Sequence, residues 1–192
     1  MEYFFAFLIS FLIAFILTPR FATWAKAHDL VDFPNRSHPA ILHKEKIPRA
    51  GGIVIFIALF LSLSLLTFFS PDLEISKSML GILTASGLIV LLGLLDDKHD
   101  INPYVRLLSN FIIVGVVIAS GIGISSFTNP FGGSIDLSSI VISFTLPERF
   151  LFFVGDHTIV VLADLVALFW IIWVMNAMNW SSGVDGQLAG IS

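Results

Sequence analysis

Long apolar runs separated by short polar segments dominate the chain. Five runs are nearly free of Asp, Glu, Lys and Arg and are rich in Leu, Ile, Phe and Ala. A membrane-crossing helix needs about 20 such residues, and backbone groups cannot stay unpaired in lipid, so these runs favour helices over alternating barrel strands. The pattern predicts five transmembrane helices, at about 2–18, 51–70, 78–95, 107–124 and 163–179.

The composition agrees with this architecture. Of the 192 residues, 56% are hydrophobic and 12% charged, and the mean hydropathy is +0.93. The chain has no cysteine, which excludes disulfides and thiolate metal sites. We therefore predict an all-α polytopic membrane protein, a single membrane domain over residues 1–192. Its net charge of −4 gives no reason to expect a nucleic-acid partner.

The connecting segments differ in their content of basic residues. Loops 19–50 and 96–106 and the tail 180–192 must share one side, and together they carry eight of the ten Lys and Arg residues. The positive-inside rule places them in the cytoplasm and the N-terminus outside, in a plasma (inner) membrane. The outer loop 125–162 contains a Gly-Gly pair and a β-branched stretch, which predicts a short hairpin. Asp164 is predicted to cap the outer end of the fifth helix.

Three polar segments fall on the predicted cytoplasmic side. In the first, Asp96 and Asp97 are adjacent, and such carboxylates suit magnesium and phosphate chemistry. They could equally well end a helix in water. The second is a basic loop that contains Arg36, His43, Lys46 and Arg49. Its cations could bind phosphate, or could simply follow the positive-inside rule.

The third segment follows the fifth apolar run. Asn176 and Asn179 are three positions apart, hence on one helix face, and Gly183-Val184-Asp185-Gly186 comes next. Their amides could line a polar cleft or hold neighbouring helices together by hydrogen bonds.

Together these segments resemble the polyprenyl-phosphate N-acetylhexosamine-1-phosphate transferases, glycosyl transferase family 4. The family pattern V-D-x-P-N, R, H and I-P-R-x-G-G is similar to residues 31–36, His43 and 47–52. G-x-x-D-D is similar to residues 93–97, and N-A-x-N followed by G-x-D-G to residues 176–179 and 183–186. The I-P-R-x-G-G form resembles the branch that uses UDP-N-acetylglucosamine or related sugars more than the branch that uses a UDP-muramoyl-pentapeptide.

The resemblance implies a magnesium-dependent reaction, with manganese as an alternative ion. A polyprenyl phosphate attacks the β-phosphate of a UDP-sugar and releases UMP, the first membrane step of cell-envelope glycan synthesis, such as that of lipopolysaccharide or teichoic acid. It also leaves open whether the protein forms a homodimer. The implied catalytic residues are Asp96 and Asp97, the implied metal ligands are Asp97, Asn179 and Asp185, and the implied substrate-binding residues are Arg36, His43, Lys46, Arg49, Asn176, Asn179 and Asp185.

The chain departs from the family pattern in three places. The loop before His43 is about three residues longer, which leaves the roles of His38 and His43 open, and Ser182 stands where the family has a first carboxylate. The family has about ten helices, and its later G-D-x-G-S motif and histidine-rich loop have no counterpart in these 192 residues. We therefore expect a truncated reading frame that corresponds to the first half of the fold.

Two alternatives remain from the sequence. The stretch DDKHD also satisfies D-D-x-x-D, a diphosphate motif of intramembrane prenyltransferases, although Asp185 alone does not supply their second acidic cluster. The chain could also be an inactive fragment or a non-enzymatic membrane protein, which would explain the helices but not three polar motifs on one side.

Overall fold

The fold is a set of five helices with three small two-stranded sheets. It comes from a computed structural model that describes residues 2–32, 46–49, 51–70, 74–146 and 155–180. The helices are α1 (Glu2–Ala27), α2 (Gly51–Phe69), α3 (Lys77–His99), α4 (Pro103–Ala119) and α5 (Val161–Trp180). The strands are β1 (Val31–Asp32), β2 (Ile47–Pro48), β3 (Ser126–Thr128), β4 (Ser134–Asp136), β5 (Val141–Leu146) and β6 (Gly155–Val160).

The helices confirm the predicted polytopic membrane fold. Within the described ranges, α1, α2, α3 and α5 are long and apolar enough to cross a membrane. Helix α4 is also apolar but has 17 residues, the lower limit of the usual range of about 17–25. The protein is therefore a membrane protein.

Helix α1 runs further than the predicted 2–18, because Pro19 lies inside the helix and does not end it. A proline removes the N–H donor for the carbonyl four residues earlier, here that of Phe15, and membrane helices tolerate this loss. Around this proline, the Arg20 guanidinium donates to the carbonyl of Ile16 at 2.8 Å, and the Thr23 hydroxyl donates to the carbonyl of Pro19 at 3.0 Å. The helix then continues to Ala27.

Helix α4 begins four residues before the predicted start at 107 and ends before the predicted 124. The side chain of Asn102 accepts a hydrogen bond from the N–H of Tyr104 at 2.9 Å, so Asn102 is the N-cap and Pro103 occupies the first helical position. At the other end, Gly121 has a φ of +91°. This left-handed conformation, typical of glycine just after a helix, stops α4 at Ala119.

The chain divides into two compact units. In the first, which contains α1, the β1–β2 pair, α2 and α3 from Ser86 onward, α1 packs against α2. Small residues bring α2 close to α3, since the Cβ that Gly87 lacks would lie 3.5 Å from the ring of Phe56. The turn after α3, up to Arg106, belongs to the same unit.

The second unit contains the start of α3, α4 from Leu107, the hairpins and α5. The Ser78 hydroxyl donates to the carbonyl of Ser120 at 3.1 Å. A Cβ on Gly81 would overlap with Cβ and Oγ of Ser120. The start of α3 therefore reaches the end of α4 only because position 81 has no side chain.

Residues 126–146 and 155–160 form two hairpins where one was predicted. Strand β3 pairs with β4 and β5 with β6, both antiparallel. Gly132 and Gly133 form the first turn with φ values of +111° and +79°. At the end of the second hairpin, the carboxylate of Asp164 accepts a hydrogen bond from the N–H of Val160 at 3.0 Å. This is the predicted cap at the start of α5.

Candidate functional site

Arg49 is held in place by the short β1–β2 ladder. Val31 lies opposite Pro48, and Asp32 lies opposite Ile47. The N–H of Arg49 then donates to the carbonyl of Leu30 at 2.9 Å. The ladder thus closes the base of the basic loop and fixes the backbone of Arg49 just before α2.

The guanidinium of Arg49 forms an ion pair with Asp97, in the last turn of α3. Nη1 of Arg49 lies 3.4 Å from Oδ1 of Asp97, and the two side chains are 25% and 28% exposed. The pair joins the I-P-R-x-G-G segment to the G-x-x-D-D segment. A partly exposed pair of this kind contributes about 0.2–1 kcal/mol to stability. A ligand can therefore replace either partner at little energetic cost.

Asp96 has different partners from its neighbour, because successive helical residues point about 100° apart. Its Oδ2 lies 3.2 Å from Nη1 of Arg106, and its Oδ1 accepts a hydrogen bond from the N–H of Ile101 at 3.1 Å. Both carboxylate oxygens of Asp96 therefore bind the turn between α3 and α4.

The two aspartates lie at a helix C-terminus, where the helix dipole opposes negative charge. One arginine faces each carboxylate, so Arg49 and Arg106 offset both that dipole and the repulsion between Asp96 and Asp97. The arrangement places two adjacent carboxylates next to two guanidinium groups. It can bind a cation through oxygen and a phosphate through nitrogen within one site.

Arg49 also lines a groove between α1 and α2, which has a volume of about 310 Å³. Apart from Arg49 and Thr18 its walls are apolar or glycine, with Phe21, Val54 and Ile55 among them. Arg49 therefore lines the apolar groove and also contacts the carboxylate of Asp97.

The asparagines of the third motif lie in the last two turns of α5. Asn176 is half-buried, and its amide donates to the carbonyl of Ile172 at 2.8 Å. Asn179 is exposed. Both belong to the second unit, whereas the two aspartates belong to the first.

Several predicted site residues fall elsewhere. Lys46 is exposed, just before β2. Arg36, His38, His43, Ser182 and Asp185 lie outside the described residues. Of the predicted set, the structure brings together Arg49, Asp96 and Asp97.

Arg106 is a residue that the sequence-based prediction did not assign to the site. It was counted only as one of the cytoplasmic cations. A usable signal was present, because Arg106 follows Asp96 by ten residues across a turn marked by Asn102-Pro103. An arginine one turn into the next helix can reach back to the helix that precedes the turn.

Comparisons with known proteins agree with the motifs. The model of the family "Glycosyl transferase family 4" matches residues 79–192. A probable undecaprenyl-phosphate N-acetylglucosaminyl 1-phosphate transferase of Bacillus subtilis is 27% identical over 97% of this chain and 44% of its own length. A decaprenyl-phosphate N-acetylglucosaminephosphotransferase of Mycolicibacterium smegmatis is 26% identical over 78% of this chain and 33% of its own length.

An undecaprenyl-phosphate alpha-N-acetylglucosaminyl 1-phosphate transferase of Escherichia coli O157:H7 is 26% identical over 88% of this chain and 38% of its own length. The chain thus spans less than half the length of these three relatives. No solved structure matches. The family model covers more than half of the chain, and the resemblance found in the motifs is confirmed: the chain belongs to glycosyl transferase family 4.

Proposed function

We propose that the protein takes part in transferring N-acetylglucosamine 1-phosphate, or a related sugar 1-phosphate, from a UDP-sugar to a polyprenyl phosphate. An oxygen of the lipid phosphate forms a bond to the β-phosphorus of the UDP-sugar, the bond between that phosphorus and the bridging oxygen breaks, and UMP leaves. The curated relatives are named for transfers of this class.

The pairing of Arg49 with Asp97 is the observation that carries the proposal. The reaction must bring two anionic phosphates together, and cations aimed at the developing charge lower that barrier. Arg49 offers a planar fork that suits phosphate oxygens. When a phosphate takes the guanidinium, the carboxylate of Asp97 is released to face the reacting groups.

The carboxylate of Asp97 suits a magnesium ion that the protein and the substrate phosphates would hold together. Magnesium is usually held by one or two carboxylates, several waters and substrate phosphates. Within the described part of the chain, no cluster of three or more His, Cys, Asp or Glu residues could hold a metal alone. Asp97 would supply one ligand of such an ion, and Asn179 and Asp185 stay predictions from the motif. Once bound, the ion would neutralise phosphate charge.

Arg49 and Lys46 contribute positive charge for phosphate binding. Arg49 binds and orients a phosphate at the mouth of the α1–α2 groove, and Lys46 adds positive charge near the same loop. We place this face in the cytoplasm and the N-terminus outside, because eight of the ten Lys and Arg residues lie on that side.

UMP release from UDP-N-acetylglucosamine, measured in membranes that contain the protein and added polyprenyl phosphate, tests the proposal. Asp97→Asn should abolish UMP release and leave the amount of protein in the membrane unchanged. Asp100→Asn is the matched control, because asparagine tolerates the left-handed conformation of this residue, whose φ is +47°.

We expect Asp100→Asn to retain most of the turnover. UMP release by Asp97→Asn at the wild-type rate would remove that residue from the site. Transfer of a prenyl group in place of UMP release would support the prenyltransferase alternative and overturn the proposal.

A further inference from the structure

We propose that Asp96 and Arg106 are positioning residues, whose ion pair holds the end of α3 so that Asp97 faces Arg49. The inference rests on the proposed function. It assigns the two adjacent aspartates different roles, and it assigns Arg106 a role that the motifs do not give it.

The hydrogen bonds of Asp96 support this division. Both of its side-chain oxygens are bound within the α3–α4 turn, to Arg106 at 3.2 Å and to the N–H of Ile101 at 3.1 Å. Its carbonyl accepts the N–H of Asp100 at 2.9 Å. The two contacts of the carboxylate tie the turn together, and a substrate would have to break them to reach its oxygens.

The turn itself needs this support. Asp100 adopts a left-handed conformation with φ +47°, which costs energy for a residue other than glycine. The chain then reverses within Asp100–Asn102, before Asn102 caps α4. The Asp96–Arg106 pair spans this reversal, from the last turn of α3 to the first turn of α4.

The position of Asp97 depends on the same turn. Asp96 and Asp97 share one helical turn, so a rotation of that turn moves both carboxylates. Arg49, in contrast, is fixed independently by its N–H bond to Leu30. Loss of the Asp96–Arg106 pair should therefore let Asp97 move away from Arg49, and a displacement of about 1 Å can reduce a rate roughly hundredfold.

The first test is a double-mutant cycle on UMP release with Asp96→Asn, Arg106→Gln and the two combined. Each single variant should lower kcat by roughly ten- to a hundredfold, and the double variant should be no slower than the slower single variant, because both changes remove the same pair. Arg106→Lys, which keeps the charge, should recover most of the rate. Lys98→Gln is the matched control, since it removes an exposed cation of the same helical turn and should leave kcat unchanged.

Three results would overturn the inference. If Arg106→Gln has the wild-type kcat and Asp96→Asn is inactive, Asp96 takes part in the reaction directly and is not a positioning residue. Multiplying effects in the double variant would show that the two residues act separately. A rise in KM for the UDP-sugar in Arg106→Gln without a fall in kcat would mean that Arg106 binds the substrate directly.

The second test does not depend on activity. These 192 residues contain no cysteine, so the two cysteines of R49C/D97C can be joined specifically by a short reagent with two thiol-reactive groups. Adding Asp96→Asn or Arg106→Gln to this background should slow cross-linking by up to about fivefold, equivalent to about 1 kcal/mol, whereas Lys98→Gln should not. An unchanged cross-linking rate would refute the positioning role. Absence of UMP release by the wild-type protein, together with the expected slowing of cross-linking in R49C/D97C, would contradict the proposed function alone.

Discussion

The absence of a side chain at Gly81 lets the start of α3 approach the end of α4. Replacing Gly81 by alanine should therefore destabilise the second unit. The added Cβ would overlap with Oγ and Cβ of Ser120. Rotation of the serine side chain can move Oγ but not Cβ, so part of the backbone must shift. Such overpacking costs about 1–3 kcal/mol.

The matched control is Gly115→Ala in α4. The added Cβ at Gly115 meets no atom within 4 Å, and alanine is a better helix former than glycine by up to about 1 kcal/mol. The difference in the free energy of unfolding between Gly81→Ala and Gly115→Ala should therefore give the energetic cost of the overlap with Ser120. Thermal unfolding in detergent, followed through the four tryptophans, would measure it.

Ser120→Gly should rescue Gly81→Ala. It removes both overlapping atoms and leaves the Cα of residue 120 at 3.7 Å from the new Cβ, an ordinary contact. The serine change alone loses the hydroxyl bond to the carbonyl of Val117, which contributes about 0.5–1.5 kcal/mol. Gly81→Ala should thus destabilise the wild type but not the Ser120→Gly background. Equal losses in both backgrounds would refute the packing explanation.

Two further predictions concern the start of α5 and the β3–β4 hairpin. Gly123→Ala would place a Cβ 2.9 Å from Oδ1 of Asp164, so the cap of α5 should weaken by about 0.5–2 kcal/mol in thermal unfolding. In an Asp164→Ala background, Gly123→Ala should lower the stability only slightly. An equally large loss of stability in that background would show that the contact with Asp164 is not the cause. In β4 and the residues after it, the hydroxyl and the N–H of Ser138 both donate to Asp136 and lower the pKa of that carboxyl below its ordinary value of 3.8. Its small contribution to stability is present above pH 3.8 and is lost as the pH falls through the lowered pKa. Ser138→Ala should raise the pKa toward 3.8 in an NMR titration, and an unchanged pKa would show that these bonds are not its cause.

The sequence by itself determined the membrane architecture. Runs of about 20 apolar residues leave a chain few options in lipid, because helices satisfy every backbone group internally. Asn102-Pro103 is a local signal for the start of α4, although the predicted start at 107 did not use it. The motifs identified the family without any coordinates, since their order and spacing are a property of the chain alone.

Tertiary structure decided what each polar residue contacts. The sequence could not show that α1 continues through Pro19, because this depends on whether nearby side chains bond to the neighbouring carbonyls. Nor could it separate Asp96 from Asp97, which are adjacent and chemically identical. Their roles differ because the helix turns them apart, the β1–β2 ladder brings Arg49 to one, and the α3–α4 turn brings Arg106 to the other.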